Sequence, residues 1–268
     1  MPKAPVNGIS MYYEVQGKGV PLIMIQGFAG NHQAWFFQTP VFRKCYKVII
    51  FDNRGVGKSG RSGEPYTIKT MADDVIALMD YLGIDKAHIL GVSMGGLAAQ
   101  EVAISHPERV IKLVLGSTFA ETERNDVHPE LMKALGVREG DTSVDTGNID
   151  FRKLMNFMVS SAFNKRLYRM VLLTLSRRSM ESIDASGYLE QMAAVTSYST
   201  LDRLHLIKAP TLVLTGTGDR IVSPSMSDLL ASRIPNATLV KVKGGSHAFF
   251  MEMRGRFNKE VLDFLRGV

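Results

Sequence analysis

One cysteine and one tryptophan occur in 268 residues. With Cys45 alone, no internal disulfide can form, and a zinc site built on several thiolates is excluded. Long apolar runs are also missing. The longest, such as Val48–Phe51 and Met170–Leu173, fall far short of the ~20 residues that span a bilayer. The opening stretch MPKAPVNGISMYYE has no apolar core of the kind a secretory signal needs, so a cytoplasmic location away from membranes is expected. There is no internal repeat and no low-complexity tract. Nor is there a basic block: the net charge of +6 is spread along the chain, without the stripe interleaved with aromatics that marks a nucleic-acid binder. The charge reads as a solubility feature.

What is present is an ordinary globular composition, 45% hydrophobic and 22% charged, in a chain long enough to bury a sizeable core. Short apolar runs alternate with longer amphipathic stretches, the pattern of βαβ units and a mostly parallel sheet. Asn7-Gly8 is a two-residue turn between Lys3–Val6 and Ile9–Gln16 and predicts an antiparallel hairpin at the start. Six further runs follow: Pro21–Ile25, Tyr46–Phe51, His88–Val92, Val110–Leu115, Thr211–Thr215 and Thr238–Val242. Each is rich in Val, Ile and Leu and reads as a strand buried on both faces. Eight strands result.

Helices are expected between them, at Thr67–Leu82 ahead of Gly83, at Met94–Ser105, at Pro224–Ile234 behind the cap Ser223, and at Arg256–Leu265. Residues 119–205 break the alternation. They hold amphipathic stretches at Pro129–Leu135, Phe151–Phe163, Lys165–Arg177 and Ala185–Ser197 and no convincing strand. We read them as a helical cap inserted into a core of residues 1–118 and 206–268.

The chemistry concentrates at three turns. Gly91-Val92-Ser93-Met94-Gly95 fits G-x-S-x-G between a strand and a helix, where a serine sits on a sharp turn and the two glycines are needed because a Cβ at either would clash. The hydroxyl then lies by a helix N-terminus whose N–H groups can stabilise an oxyanion. A serine hydroxyl needs a base, and the base a third group to orient it. Gly216-Thr217-Gly218-Asp219 and Gly244-Gly245-Ser246-His247 present an acid and a histidine after later strands, in the order Ser93, Asp219, His247. The strand Val110–Leu115 runs instead into Gly116-Ser117-Thr118, which offers no rival acid. His32, His88, His106, His128 and His205 lack the glycine-rich turn that precedes His247.

These residues, with Gly27-Phe28-Ala29-Gly30 and Asp52-Asn53-Arg54-Gly55-Val56-Gly57-Lys58-Ser59, resemble the α/β-hydrolases with a helical cap, in the group of small carboxylesterases, enol-lactone hydrolases and cofactor-free haloperoxidases. The resemblance covers nearly the whole chain and is weakest over 119–205. It implies a Ser93–His247–Asp219 triad, an oxyanion hole made by the backbone N–H groups of Met94 and Phe28, and no cofactor. It further implies a small-molecule carboxylic ester as substrate, with an enol-lactone or a carbon–carbon bond next to a ketone as the alternative, in a monomer or homodimer. A ligand-binding receptor on the same fold is a third reading. The loop before Phe28 departs from the family, which has His-Gly where this chain has Gln26-Gly27.

Other motifs reduce to simpler readings. Gly55–Gly60 fits G-x-G-x-x-G, yet Gly63, Glu64 and Pro65 follow where a helix must open. A Walker A loop fails because Asp52 stands where it needs glycine. The segment is expected to be a turn supporting the site, with Arg54 paired to a carboxylate. The basic stretch Lys165–Arg178 reads as a cap helix rather than a membrane-surface one. Fifteen methionines are many; Met94, Met155, Met158, Met170 and Met192, with Phe28, are candidates for lining an adaptable acyl pocket. Asn236-Ala237-Thr238 is discounted as a glycosylation site, and no His, Asp or Glu cluster has metal-ligand spacing.

Overall fold

The computed structural model describes residues 2–122, 129–137, 145, 149–160, 174 and 183–267. Eight strands, β1 (Lys3–Val6), β2 (Ile9–Gln16), β3 (Pro21–Ile25), β4 (Lys47–Phe51), β5 (Ala87–Val92), β6 (Val110–Gly116), β7 (Thr211–Gly216) and β8 (Ala237–Val242), form one sheet. Its order is β1-β2-β4-β3-β5-β6-β7-β8. The β1–β2 and β2–β4 pairs are antiparallel and all others parallel. Asn7 and Gly8, at φ 40° and 80°, make the tight turn of the opening hairpin.

Period-two alternation sends successive strand residues to opposite faces. Ile23, Ile25, Ile49, Ile89, Leu113 and Val213 pack on one side, against helices α2 (Ile68–Tyr81) and α3 (Met94–Ser105). Leu22, Met24, Ile50, Leu90, Val114 and Leu214 pack on the other, with Trp35, Phe42 of α1 (Thr39–Phe42) and Phe257 near the C-terminus. Layers on both faces explain why the central strands carry hardly a polar residue. The α2 start is capped by Thr67 and Thr70 bonding reciprocally.

Between β6 and β7 lie α4 (Pro129–Ala134), α5 (Phe151–Met158), α6 (Ala185–Thr196) and a 3₁₀ turn at Leu201–Leu206, with no strand among the described residues. The stretch Lys165–Arg177, Thr174 apart, and the end of Phe151–Phe163 lie outside those residues. Helices α7 (Pro224–Arg233), α8 (Phe249–Glu252) and α9 (Arg254–Arg266) complete the chain.

Three expectations change. β8 is not buried on both faces: it pairs only with β7, and Thr238 and Lys241 are exposed. An edge strand has one neighbour, and its residue types alone did not reveal that position. The 3₁₀ turn His32–Trp35 and α1 were not anticipated, being too short for a periodic signal. The last helix starts at Arg254 rather than Arg256, directly after α8.

His88, on β5, is buried edge-on to Tyr46, and among the described residues its Nδ1 has no hydrogen-bond partner. Burial, with Lys112 adding a like charge, pushes its pKa down to about 4 from 6.5. The unfolded chain therefore binds a proton here that the native chain refuses. The stability this histidine permits is full above pH 6.5 and lost as pH falls toward 4. His88→Leu is expected to remove about 1–2 kcal/mol of the stability lost between pH 7 and pH 5. Urea unfolding of both proteins at the two pH values measures it; parallel losses would refute the assignment.

Candidate active site

Parallel strands end at one edge of the sheet, and β5, β6, β7 and β8 each release a loop there. Ser93 leaves β5 with φ 52° and ψ −126°, a conformation that costs an L-residue on the order of 1–3 kcal/mol. Its surroundings hold it. The Ser93 N–H donates to the Gly116 carbonyl at 3.0 Å, and its carbonyl accepts from Gly96 N–H at 2.8 Å and Thr118 Oγ1 at 2.7 Å. A Cβ on Gly95 would stand 2.4 Å from the Ile25 carbonyl oxygen, so only glycine lets α3 start this close to β3. Ser93 is half-buried.

Asp219 and His247 meet after β7 and β8. His247 Nδ1 lies 2.9 Å from Asp219 Oδ2 and 3.1 Å from Oδ1, with both side chains buried. A carboxylate can only accept, so Nδ1 donates and Nε2 is left as the basic nitrogen. Asp219 Oδ1 also takes the N–H groups of Ile221 and Val222, each at 2.9 Å. The two loops touch through backbone: Gly218 N–H donates to Gly245 O at 2.8 Å, and a Cβ on Gly216 would stand 2.2 Å from that oxygen. The Ser93 hydroxyl forms no hydrogen bond with the His247 ring.

The His247 loop is tied down in a way the motif did not reveal. Buried Glu252 accepts from Ser246 Oγ at 2.5 Å and from Ser160 N–H at 2.7 Å, and Ala248 N–H donates to Met158 O at 2.9 Å. The end of α5 therefore rests on this loop, bringing Met158 beside it. Met155 is buried on α5 and Met192 half-buried on α6, while Met170 lies outside the described residues.

The loop after β3 approaches Ser93 from the other side. A Cβ on Gly27 would be 3.0 Å from Ser93 Cβ. Neither the Phe28 nor the Met94 N–H has a hydrogen-bond acceptor among the described residues. Gln26, standing where the family has histidine, folds back so that its Oε1 accepts the Gly27 N–H at 2.8 Å. Ala29, at φ 54°, donates to Gln191 Oε1 of α6 at 2.8 Å. Asp52 secures the far end, accepting the His32 N–H at 2.7 Å, the His32 ring at 2.6 Å and the Lys58 N–H at 2.9 Å. Arg54 pairs with a carboxylate as anticipated: it grips buried Asp74 at 2.6 and 2.7 Å. Burial raises the Asp74 carboxyl, and the Arg54 hydrogen bonds oppose that rise.

Chemically, the edge offers a hydroxyl on a constrained turn, an imidazole oriented by a buried carboxylate, and two unused amide donors. Among the described residues no group of three His, Cys, Asp or Glu side chains could hold a metal ion, and no helix is long and apolar enough to cross a membrane.

Known proteins resemble this chain over nearly its whole length. The chain is 29% identical over 277 aligned positions, covering 100% of it and 99% of the other, to a Caulobacter sp. (strain K31) protein that carries the name carbamate hydrolase RutD. It is 33% identical to a Synechocystis sp. protein named as a non-heme chloroperoxidase, covering 96% of this chain and 95% of that one. The crystal structure of the enol-lactonase from Burkholderia xenovorans LB400 superposes with a TM-score of 0.88 at 27% identity, covering 99% and 100% of the two chains. The family model for the alpha/beta hydrolase fold matches residues 20–253, and the chain belongs to that family.

Proposed function

We propose that the protein is a serine hydrolase that cleaves small carboxylic esters through an acyl-enzyme on Ser93. The observation that carries this is the Asp219–His247 contact at the sheet edge from which Ser93 emerges. His247 Nε2 takes the Ser93 proton as Oγ attacks the ester carbonyl, and the negative oxygen is received by the Phe28 and Met94 N–H groups. Collapse expels the alcohol, which takes the proton back from His247. Water, deprotonated by the same nitrogen, then attacks the acyl carbonyl; Ser93 leaves with its proton restored and the acid is released. Contacts between nucleophile and base are often long in ligand-free enzymes and tighten with substrate, which accommodates the missing Ser93–His247 bond.

In this reading residues 119–205 cap a core of residues 1–118 and 206–268. Phe28, Met94, Met155, Met158 and Met192 line the acyl side, where flexible thioethers suit more than one chain shape. The reaction needs no cofactor, and the protein works as a monomer or homodimer in the cytoplasm, apart from membranes and nucleic acids. A second reading, an enol-lactone in place of an open ester, draws on the likeness to the Burkholderia enol-lactonase. Ring opening uses the same steps, with the leaving oxygen retained on the acyl group.

The test is turnover of p-nitrophenyl esters from acetate to decanoate, beside an enol-lactone and an aryl carbamate. Release of p-nitrophenol, fastest on short chains, is expected. Preference for the lactone would favour the second reading. Binding without turnover of any member would overturn both and leave a receptor.

A further inference from the structure

We propose that Gln191 is a positioning residue: from helix α6 it holds the oxyanion loop in its working conformation. The inference rests on the reading of Phe28 as an oxyanion donor. Gln191 is fully buried, and its Oε1 accepts the Ala29 N–H at 2.8 Å across 162 residues of sequence. Ala29 is a non-glycine residue at φ 54°, a conformation a folded chain keeps only where its surroundings over-determine it. It directly follows Phe28. One turn earlier on α6, Tyr188 sets its ring edge-on against Phe28 at 4.8 Å and 80°, and its hydroxyl donates to Leu135 O at 3.0 Å. Two side chains at i and i+3 on one helix face thus touch consecutive loop residues, one by packing and one by a hydrogen bond.

The helix itself is seated on the core. A bridge joins Ile183 to Val56, and Asp184, which caps α6, pairs with Arg61 at 2.9 Å. Past its C-terminus, Tyr198 bonds Glu101, and Thr200 donates to Gln100 Oε1 at 2.6 Å. Against these anchors the Ala29 N–H has a fixed acceptor. Gln26 secures the same loop one residue before Phe28, through Gly27. The Phe28 amide thus lies between two clamped neighbours, one held from β3 and one from α6. The Gly30 N–H closes the same turn on the Gly27 carbonyl at 3.0 Å. Losing the Gln191 bond loosens the peptide after Phe28, and the Phe28 N–H on the adjoining peptide shifts in aim without being removed.

The effect belongs to the transition state, because charge on the substrate oxygen develops only there. Gln191→Met keeps length and burial and removes the acceptor. It is expected to lower kcat on p-nitrophenyl acetate about 10- to 100-fold with KM within about twofold, less than the ~10²–10³-fold loss of a whole oxyanion donor. An alkyl boronic acid, whose tetrahedral adduct with Ser93 places an oxygen in the hole, is expected to bind at least about tenfold more weakly, while acetate binding is unchanged. Gln191→Glu retains an acceptor and is expected to recover most of kcat. Thr196→Ala, an exposed change on the same helix, serves as the folding control. If Gln191→Met does not fold, Gln191→Asn, one methylene shorter, withdraws the carboxamide and must show the same split. Wild-type kcat in the folded variant, beside an inactive Ser93→Ala, overturns this inference alone. Activity that survives Ser93→Ala overturns it together with the hydrolase reading.

Discussion

Ser93→Ala is expected to lower kcat/KM for p-nitrophenyl esters by about 10⁵–10⁶-fold, the scale seen when a serine nucleophile is deleted. The size follows from the lack of a substitute at this edge. Thr118 Oγ1 is spent on the Ser93 carbonyl, and Ser117 is buried and lacks the imidazole that would activate it. The fold has little reason to object. Alanine keeps the Cβ, so the backbone at φ 52° costs much the same, and the amide and carbonyl bonds of residue 93 remain. Thermal unfolding within about 2 °C of wild type is expected alongside the lost activity. Mass spectrometry after a fluorophosphonate gives an independent reading: one adduct on wild type, none on the variant. A variant within tenfold of wild type would remove Ser93 from the chemistry.

The second large effect is expected at Asp219→Asn, a loss of about 10⁴-fold in kcat with the structure intact. Here the two carboxylate oxygens differ in what they do. Oδ1 receives two backbone N–H groups, a task the asparagine carbonyl oxygen performs equally well. That preference turns the new amide nitrogen toward His247 Nδ1, where Oδ2 stood at 2.9 Å. Two donors cannot face each other, so the imidazole proton moves to Nε2 and the ring cannot accept the Ser93 proton. Asp219→Ala removes the tautomer conflict, and its activity is expected to exceed that of the isosteric asparagine. The reverse order in stopped-flow kcat would mean that charge rather than tautomer is the main contribution of Asp219.

The sheet, its hairpin start and the turns bearing Ser93, Asp219 and His247 were legible in the sequence because each is encoded over a few adjacent residues. Buried strands announce themselves as short Val, Ile and Leu runs, and sharp turns as glycine pairs around one polar residue. What was not legible is long-range. Nothing near Gln191 marks it as the partner of Ala29, nor does Glu252 declare that it will bond both Ser246 and the backbone of Ser160. The pairing of His32 with Asp52 depends on how the loop after β3 lands on the end of β4. Edge position is likewise a property of the whole sheet, which is why β8 read as a buried strand. The segment between β6 and β7 showed helical periodicity, but where α6 settles depends on contacts to Val56, Glu101 and Gln100, all far away in the chain.

The double anchoring of α6 bears on how this scaffold can be recombined. A chimera that exchanges the whole stretch between β6 and β7 for that of a relative would carry off Tyr188 and Gln191 together with whatever shapes the substrate. Splice points placed before Ile183, leaving residues 183–200 native, keep the loop after β3 with its native partner, and keep Met192 with it, so that the graft exchanges only the Met155 and Met158 side of the proposed lining. Modularity in this chain therefore ends inside the insertion, one helix earlier than the strand boundaries indicate.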